Sequence, residues 1–144
     1  NGELLKIAVI ERHHATGNMG IGLIKGYGLK NGAVATTVGH DSHNIIVVGD
    51  NDSDMLLAVE ELKRIKGGYI VVSNGNVIES LPLIFGGLMS VLPTDEFISQ
   101  LDKTISAARN LGVNKNIDPF ITLSFMALPV IPEIRITDMG IFEM

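Results

Sequence analysis

The feature that most constrains the fold is the Asn74-Gly75 dipeptide, which stands between two runs rich in β-branched residues. Asn-Gly readily adopts the positive φ angles that a two-residue hairpin turn requires. The runs 69–73 and 76–80 are therefore predicted to pair as an antiparallel hairpin. Further strand-length apolar runs predict additional strands, at 6–11, 32–38, 45–48 and 134–137.

One stretch between these runs is crowded with glycine. Segment 17–32 holds six glycines, and glycine permits positive φ at an entropic cost in regular structure. We expect a loop here, with a short helical turn near 21–25. The apolar segments 81–90 and 120–128 are interrupted by glycine or followed by prolines, and the first of them is expected to be irregular.

A first helix is predicted over 50–66. Asp52 or Ser53 is expected to cap its start, and Gly67-Gly68 is expected to end it. One apolar face recurs at helical spacing. It consists of Met55, Leu56, Val59, Leu62 and Ile65.

A second helix is predicted over 94–111, with Thr94 as its N-cap and Gly112 at its end. Its expected buried face consists of Phe97, Ile98, Leu101, Ile105 and Ala108. Strands and hairpins combined with about two helices indicate an α+β fold, a mixed α/β sandwich. The chain of 144 residues fits a single domain, 1–144.

The composition excludes several classes of protein. The net charge is −5, the basic residues are scattered and aromatic residues make up 5%, so a nucleic-acid partner is not expected. No apolar run is long enough to cross a bilayer, and without cysteine there are no disulfides and no Cys-ligated zinc. Asn1-Gly2-Glu3 lacks the basic start of a signal peptide, so we expect a cytoplasmic protein. The 46% apolar content suggests a large core or a face that meets a partner.

Two familiar binding motifs are incomplete. A dinucleotide fingerprint beginning at Gly20 would need glycine at position 25, which is Lys25. The acids Asp50, Asp52 and Asp54 are spaced as in a calcium loop, but the sixth position is Met55 rather than the required glycine. Helix capping explains these acids better.

The four histidines fall in only two places, each at the end of a predicted strand. His13 and His14 follow the first strand, whereas His40 and His43 lie between two later ones. Strand ends of one sheet can lie side by side, so the two clusters could converge. Polar neighbours accompany both clusters. They are Glu11, Arg12, Asp41, Ser42 and Asn44. A ligand-binding surface, simple turn chemistry and a metal site all remain open from the spacing alone.

Four ordered segments resemble the C-terminal domain of the adenine deaminase family. The most specific is 36–49, which contains His40-Asp41-Ser42-His43-Asn44. The others are 8–13 with the loop ending at 26–30, the stretch 67–90, and 119–138. One departure is that Pro82-Leu83 is followed by Ile84, where the family usually has a second proline.

The resemblance implies a metal-dependent amidohydrolase that converts adenine and water to hypoxanthine and ammonia. In that family the metal, manganese or iron, is held by a preceding barrel whose ligand set begins with His-x-His. No His-x-His occurs here, and a (β/α)₈ barrel would not fit in 144 residues. We therefore expect a C-terminal fragment, cut near Asn1 and Met144, with no cofactor of its own and no activity alone. Its expected partner is its own N-terminal barrel domain.

No residue of the chain is assigned a certain catalytic role or a metal. The resemblance implies candidates for active-site or interdomain polar contacts. They are Glu11, Arg12, His13, His40, Asp41, Ser42, His43 and Asn44. Two alternatives stay open: a stand-alone ligand-binding or oligomerisation module, including a homo-oligomer, and a small metal hydrolase that uses the four histidines.

Overall fold

A six-stranded antiparallel sheet organises the protein, whose computed structural model describes residues 4–143. The strands are β1 (Leu4–Ile10), β2 (Met19–Lys25), β3 (Gly32–Thr36), β4 (Ile45–Gly49), β5 (Gly68–Ser73) and β6 (Asn76–Pro82). Their order across the sheet is β2-β1-β4-β3-β5-β6. The expectations drawn from Asn1 to Glu3 and from Met144 concern residues outside this described part.

Three helices and a small hairpin complete the fold. They are α1 (Asp52–Arg64), α2 (Thr94–Asn110), α3 (Ile121–Met126), and the two-stranded sheet of β7 (Ile134–Thr137) and β8 (Gly140–Glu143). The prediction of an α+β fold is confirmed. No helix within 4–143 is both long enough and apolar enough to cross a membrane.

The sheet is buried on both faces because its central strands place apolar side chains alternately on one face and on the other. Val34 and Val48 belong to a core cluster that also contains residues of α2 and α3. Ala33 and Val47 belong to a second cluster, on the opposite face, with residues of α1. Period-2 alternation in strands that are apolar on both faces therefore gives a three-layer core.

The Asn74-Gly75 hairpin is confirmed. Asn74 and Gly75 have φ of 50° and 75°, as a two-residue turn between β5 and β6 requires. The buried Asp54 carboxylate accepts hydrogen bonds from the backbone N–H groups of both residues, at 3.1 and 2.7 Å. Asp50 likewise accepts from the N–H groups of Asn31 and Gly32. These two acids therefore hold turns, whereas the helix capping expected of them is supplied by Asn51.

The predicted N-caps are wrong, by one or two residues for α1 and by one residue for α2. The N-cap of α1 is Asn51, whose side chain accepts from the N–H of Asp54 at 2.8 Å. Five successive residues of cap-forming type stand here, 50–54, and Asp50 is already bonded to another loop. The N-cap of α2 is Pro93, so Thr94 is helical and makes no capping hydrogen bond.

Two residues of the predicted helix faces are exposed instead of buried. Leu56 on α1 and Ile98 on α2 expose 63% and 50% of their surface. The buried face of α1 includes Asp54 and Ala58, and that of α2 includes Thr104 and Ala107. The predicted faces contain none of these four residues. A prediction from apolar spacing alone does not identify small or polar residues as buried, although the sheet covers these four.

The loop and helical turn predicted near 21–25 are wrong, because this segment is strand β2. It pairs antiparallel with β1 over its whole length, from Leu4 opposite Lys25 to Ile10 opposite Met19. Its glycines make room for the β7–β8 hairpin. A Cβ on Gly20 would lie 1.9 Å from the carbonyl oxygen of Thr137, so only glycine fits this contact.

Candidate functional site

The two histidine-containing segments meet at one edge of the large sheet. β1 and β4 are antiparallel neighbours, with Ile10 opposite Ile45, so the end of β1 lies beside the start of β4. His13 Nε2 donates to the carbonyl oxygen of Ser42 at 2.7 Å. The structure therefore brings the two clusters together. We call this surface, formed by 11–13 and 40–43, the polar edge.

Arg12 connects three segments at the polar edge. Its Nε donates to the carbonyl oxygen of His43 and its Nη2 to that of Gly86, both at 2.6 Å. Desolvation at this half-buried position lowers the pKa of Arg12. Within residues 4–143 the guanidinium has no carboxylate partner. Arg12 is thus a fixed cation whose charge no carboxylate of the described residues neutralises.

Glu11 organises the turn that carries His13 and His14. Its carboxylate accepts from the N–H groups of His13, His14 and Thr16, at 2.5, 2.8 and 3.1 Å. Partial desolvation raises the pKa of Glu11, but these hydrogen bonds outweigh it and lower the pKa to about 2. Glu11 is therefore an ionised acceptor at neutral pH and holds the loop in shape.

The 40–43 loop has an unusual backbone and an unpaired imidazole nitrogen. Asp41 and His43 both have positive φ, 62° and 47°, a conformation that L residues other than Asn, Asp and His rarely adopt. Nδ1 of His43 is buried and has no hydrogen-bond partner among the described residues. A buried polar atom without a partner is uncommon in native proteins, so this nitrogen is a hydrogen-bonding group that the described residues leave unused.

The remaining residues of the run point to different surroundings. The His40 ring stacks on Phe125 of α3 with centroids 4.8 Å apart, and both rings are partly exposed. Asn44 is buried, and its Nδ2 donates to Asp138 at 3.3 Å. Asn18 donates to the other oxygen of Asp138 at 3.4 Å. Asn44 thus joins the sheet to the β7–β8 turn and lies behind the polar edge.

Sequence reasoning missed three participants: Gly86, Phe125 and Asp138. Each reaches the polar edge or its support from a distant part of the chain, with separations of 74 residues for Arg12–Gly86 and 94 for Asn44–Asp138. No local pattern announces such contacts. The family-like segment 119–138 includes Asp138 but indicates no partner for it.

The donor set of the polar edge does not fit a metal. No group of three or more His, Cys, Asp or Glu side chains in the described part of the chain could hold a metal ion. His13 Nε2 and the Glu11 carboxylate are already engaged with backbone groups. The arrangement can instead hydrogen-bond a ligand or partner, through His43, the exposed Asp41 and the Arg12 guanidinium.

The comparisons with known proteins agree on one family. The whole chain, residues 1–144, matches the family model described as adenine deaminase C-terminal domain. The chain is 55% identical over 141 residues to a protein named adenine deaminase 2 from Carboxydothermus hydrogenoformans, covering 98% of this chain and 25% of that protein. It is also 55% identical to proteins named adenine deaminase from Nitratidesulfovibrio vulgaris and Clostridium acetobutylicum, covering 24% of each. The chain spans about a quarter of the length of these curated relatives.

Proposed function

The chain belongs to the adenine deaminase C-terminal domain family, and we propose that it works as one domain of a longer hydrolase that converts adenine and water to hypoxanthine and ammonia. The names of the relatives and their greater length support this proposal. We assign the catalytic metal, manganese or iron, to the longer part of such an enzyme. Within residues 4–143, no group of three or more His, Cys, Asp or Glu side chains could hold one.

We propose that the polar edge lies at the mouth of the active site in that enzyme. The observation that carries this is the buried, unpartnered Nδ1 of His43, beside an Arg12 guanidinium held in one orientation by two loops. Imidazole can donate or accept a hydrogen bond near neutral pH, and a carboxylate such as Asp41 can accept from a purine N–H. Groups fixed in this way can orient a bound purine for attack by water.

A second surface supports the role of a docked domain. Helix α1 packs on β3, β4 and β5. On the same face of the sheet, strands β1 and β2 are therefore left uncovered. Met19, Ile21 and Leu23 are 52%, 51% and 69% exposed there. A groove of about 260 Å³ on this side of the sheet is lined by Met19 and Ile21 of the row and by Leu56 of α1. We define this row with Leu56 as the open face.

We propose that the open face packs against the remaining part of the longer polypeptide. Contiguous exposed apolar surface of this kind marks a contact site, and the relatives contain three further quarters of chain that could supply the partner. The same face also favours the alternative of an oligomerisation module. Sedimentation of the 144-residue chain separates them: a concentration-dependent dimer abolished by Leu23→Lys supports the module, whereas a monomer supports docking within one polypeptide.

A hybrid enzyme tests the proposed function. This chain would replace the C-terminal quarter of the Carboxydothermus relative, and ammonia release from adenine would be measured with added manganese. We expect the hybrid to retain activity and the truncated relative to lose most of it. Full activity of a folded truncated relative, or none in a folded hybrid, would contradict the proposal.

A further inference from the structure

A basic pocket lies next to the polar edge, at the C-terminal end of α1. Its volume is about 290 Å³. Every charged side chain that lines it is cationic: Arg12, Lys63 and Lys66. The rest of the lining is Thr37, Ile45, Leu62 and Gly67. Three cations around one cavity stand out in a chain whose net charge is −5.

Arg12, which lines this pocket, has donors that the described residues leave unused. A guanidinium has five N–H donors, and two of them are used by the carbonyl oxygens of His43 and Gly86. Those acceptors are neutral, so the half-buried charge remains uncompensated. A charge removed from water is favoured by an opposite charge close by, and the planar fork of arginine suits the two oxygens of a carboxylate or phosphate.

Lys66 occupies a left-handed backbone position, in which glycine would be less strained. It follows the C-cap of α1, Ile65, and has a φ of 65°. Gly67 N–H closes the helix by donating to the carbonyl oxygen of Leu62 at 2.8 Å. Glycine is the usual residue in this left-handed position because it bears no Cβ strain. Lysine is strained at this position, and its side chain adds a cation to the pocket.

Lys63 also stays available. Its ammonium donates to Glu60 at 3.0 Å, but both side chains are more than half exposed. Exposed ion pairs of this kind are weak because water and salt screen them. An anion in the pocket could therefore attract Lys63 without breaking a strong interaction.

We propose that this pocket binds an oxyanion, a phosphate or carboxylate group, through Arg12 together with Lys63 and Lys66. Arg12 would contact the anion through its rigid, planar guanidinium. The flexible side chains of Lys63 and Lys66 would bring their ammonium groups to the same anion. This assignment does not depend on the proposed reaction, since it concerns a site within the 144-residue chain.

Titration of the isotope-labelled chain with sodium phosphate and, separately, sodium acetate tests the proposal, with ionic strength held constant by sodium chloride. Backbone amide shifts near Arg12 and Gly67 are expected to saturate. A Lys63→Gln/Lys66→Gln variant should bind about tenfold more weakly. The matched control is Lys103→Gln/Lys115→Gln, which changes the net charge equally but lies outside the pocket, and it should bind normally.

Saturation by phosphate alone identifies a phosphate site, whereas equal or tighter binding of acetate identifies a carboxylate site. Lys66→Gly adds a readout that a purely structural lysine would not give: the melting temperature rises while binding weakens. Shifts that fail to saturate with both anions, or that are equal in the pocket and control variants, overturn the proposal. Melting curves of every variant exclude unfolding as the cause of lost binding.

Discussion

The carboxylate of Asp54 accepts a hydrogen bond from the backbone N–H of Gly75 at 2.7 Å. This contact joins the first turn of α1 to the tip of the β5–β6 hairpin, two elements that are 21 residues apart in the chain. It also explains why an acid is buried in a helix that otherwise presents apolar residues to the sheet. The turn predicted from Asn74-Gly75 is therefore also held by a helix.

Replacing Asp54 by alanine is expected to destabilise the protein by about 2–4 kcal/mol, because two turn N–H groups lose a charged acceptor. The free energy of unfolding in urea measures this. Asp52→Ala is the control, since that side chain is 78% exposed and forms an exposed ion pair with Lys6. The control should change stability by less than about 1 kcal/mol. Equal effects of the two substitutions would refute the role given to Asp54.

Two glycines of β2 should differ sharply in their tolerance of alanine. A Cβ at position 20 would lie 1.9 Å from the Thr137 carbonyl oxygen, whereas at position 22 the nearest atom is the flexible end of Ile136 at 3.3 Å. We expect Gly20→Ala to cost about 3 kcal/mol and Gly22→Ala less than about 1 kcal/mol. Thermal melts of the two variants check this, and a milder effect at position 20 would count against the packing of the β7–β8 hairpin on β2.

The same two glycines show why the sequence did not predict β2. Strand propensity is low for glycine, so a segment that contains Gly20 and Gly22 predicts a loop. The apolar residues Met19, Ile21 and Leu23 alternate with period 2, as a strand requires. The reason for the glycines is a hairpin more than 110 residues later in the chain. Local propensity cannot include such a contact.

The two histidine-containing segments converge for a geometric reason. Polar residues placed at strand ends converge when the strands are neighbours, and His13 and Ser42 do so. What spacing could not supply was the orientation of each side chain. Asn44 turns inward to Asp138, and His40 turns aside to Phe125. Those outcomes depend on α3 and the β7–β8 turn, which are remote in sequence.

Lys66→Gly is expected to raise the free energy of unfolding by about 0.5–1 kcal/mol, because it relieves a left-handed residue at the end of α1. Lys63→Gly is the matched control. Position 63 lies within the helix, where glycine destabilises by about 1 kcal/mol. The two substitutions remove the same charge, so opposite signs isolate the backbone effect. A loss of stability at position 66 would contradict this account of the helix end.

Stability at acid pH should depend on Glu11. Its pKa is lowered from 4.5 to about 2 in the folded state, so its contribution is fully present above pH 4.5 and is lost as the pH falls toward 2. Glu11→Gln should therefore be less stable than the wild type at neutral pH, with the difference vanishing near pH 2. Urea melts at a series of pH values test this. A difference independent of pH would show that the carboxylate charge contributes nothing.

The central claim is that the polar edge serves the reaction of the longer enzyme, and kinetics of the hybrid test it most directly. Asp41→Gly and His43→Asn remove the carboxylate and the imidazole but retain residue types that accept a positive φ. We expect kcat and kcat/KM for adenine to fall together by about tenfold or more, with a melting temperature equal to or above that of the parent hybrid. Unchanged kcat and KM in both folded variants would contradict the claim and leave the run 40–43 as a structural turn.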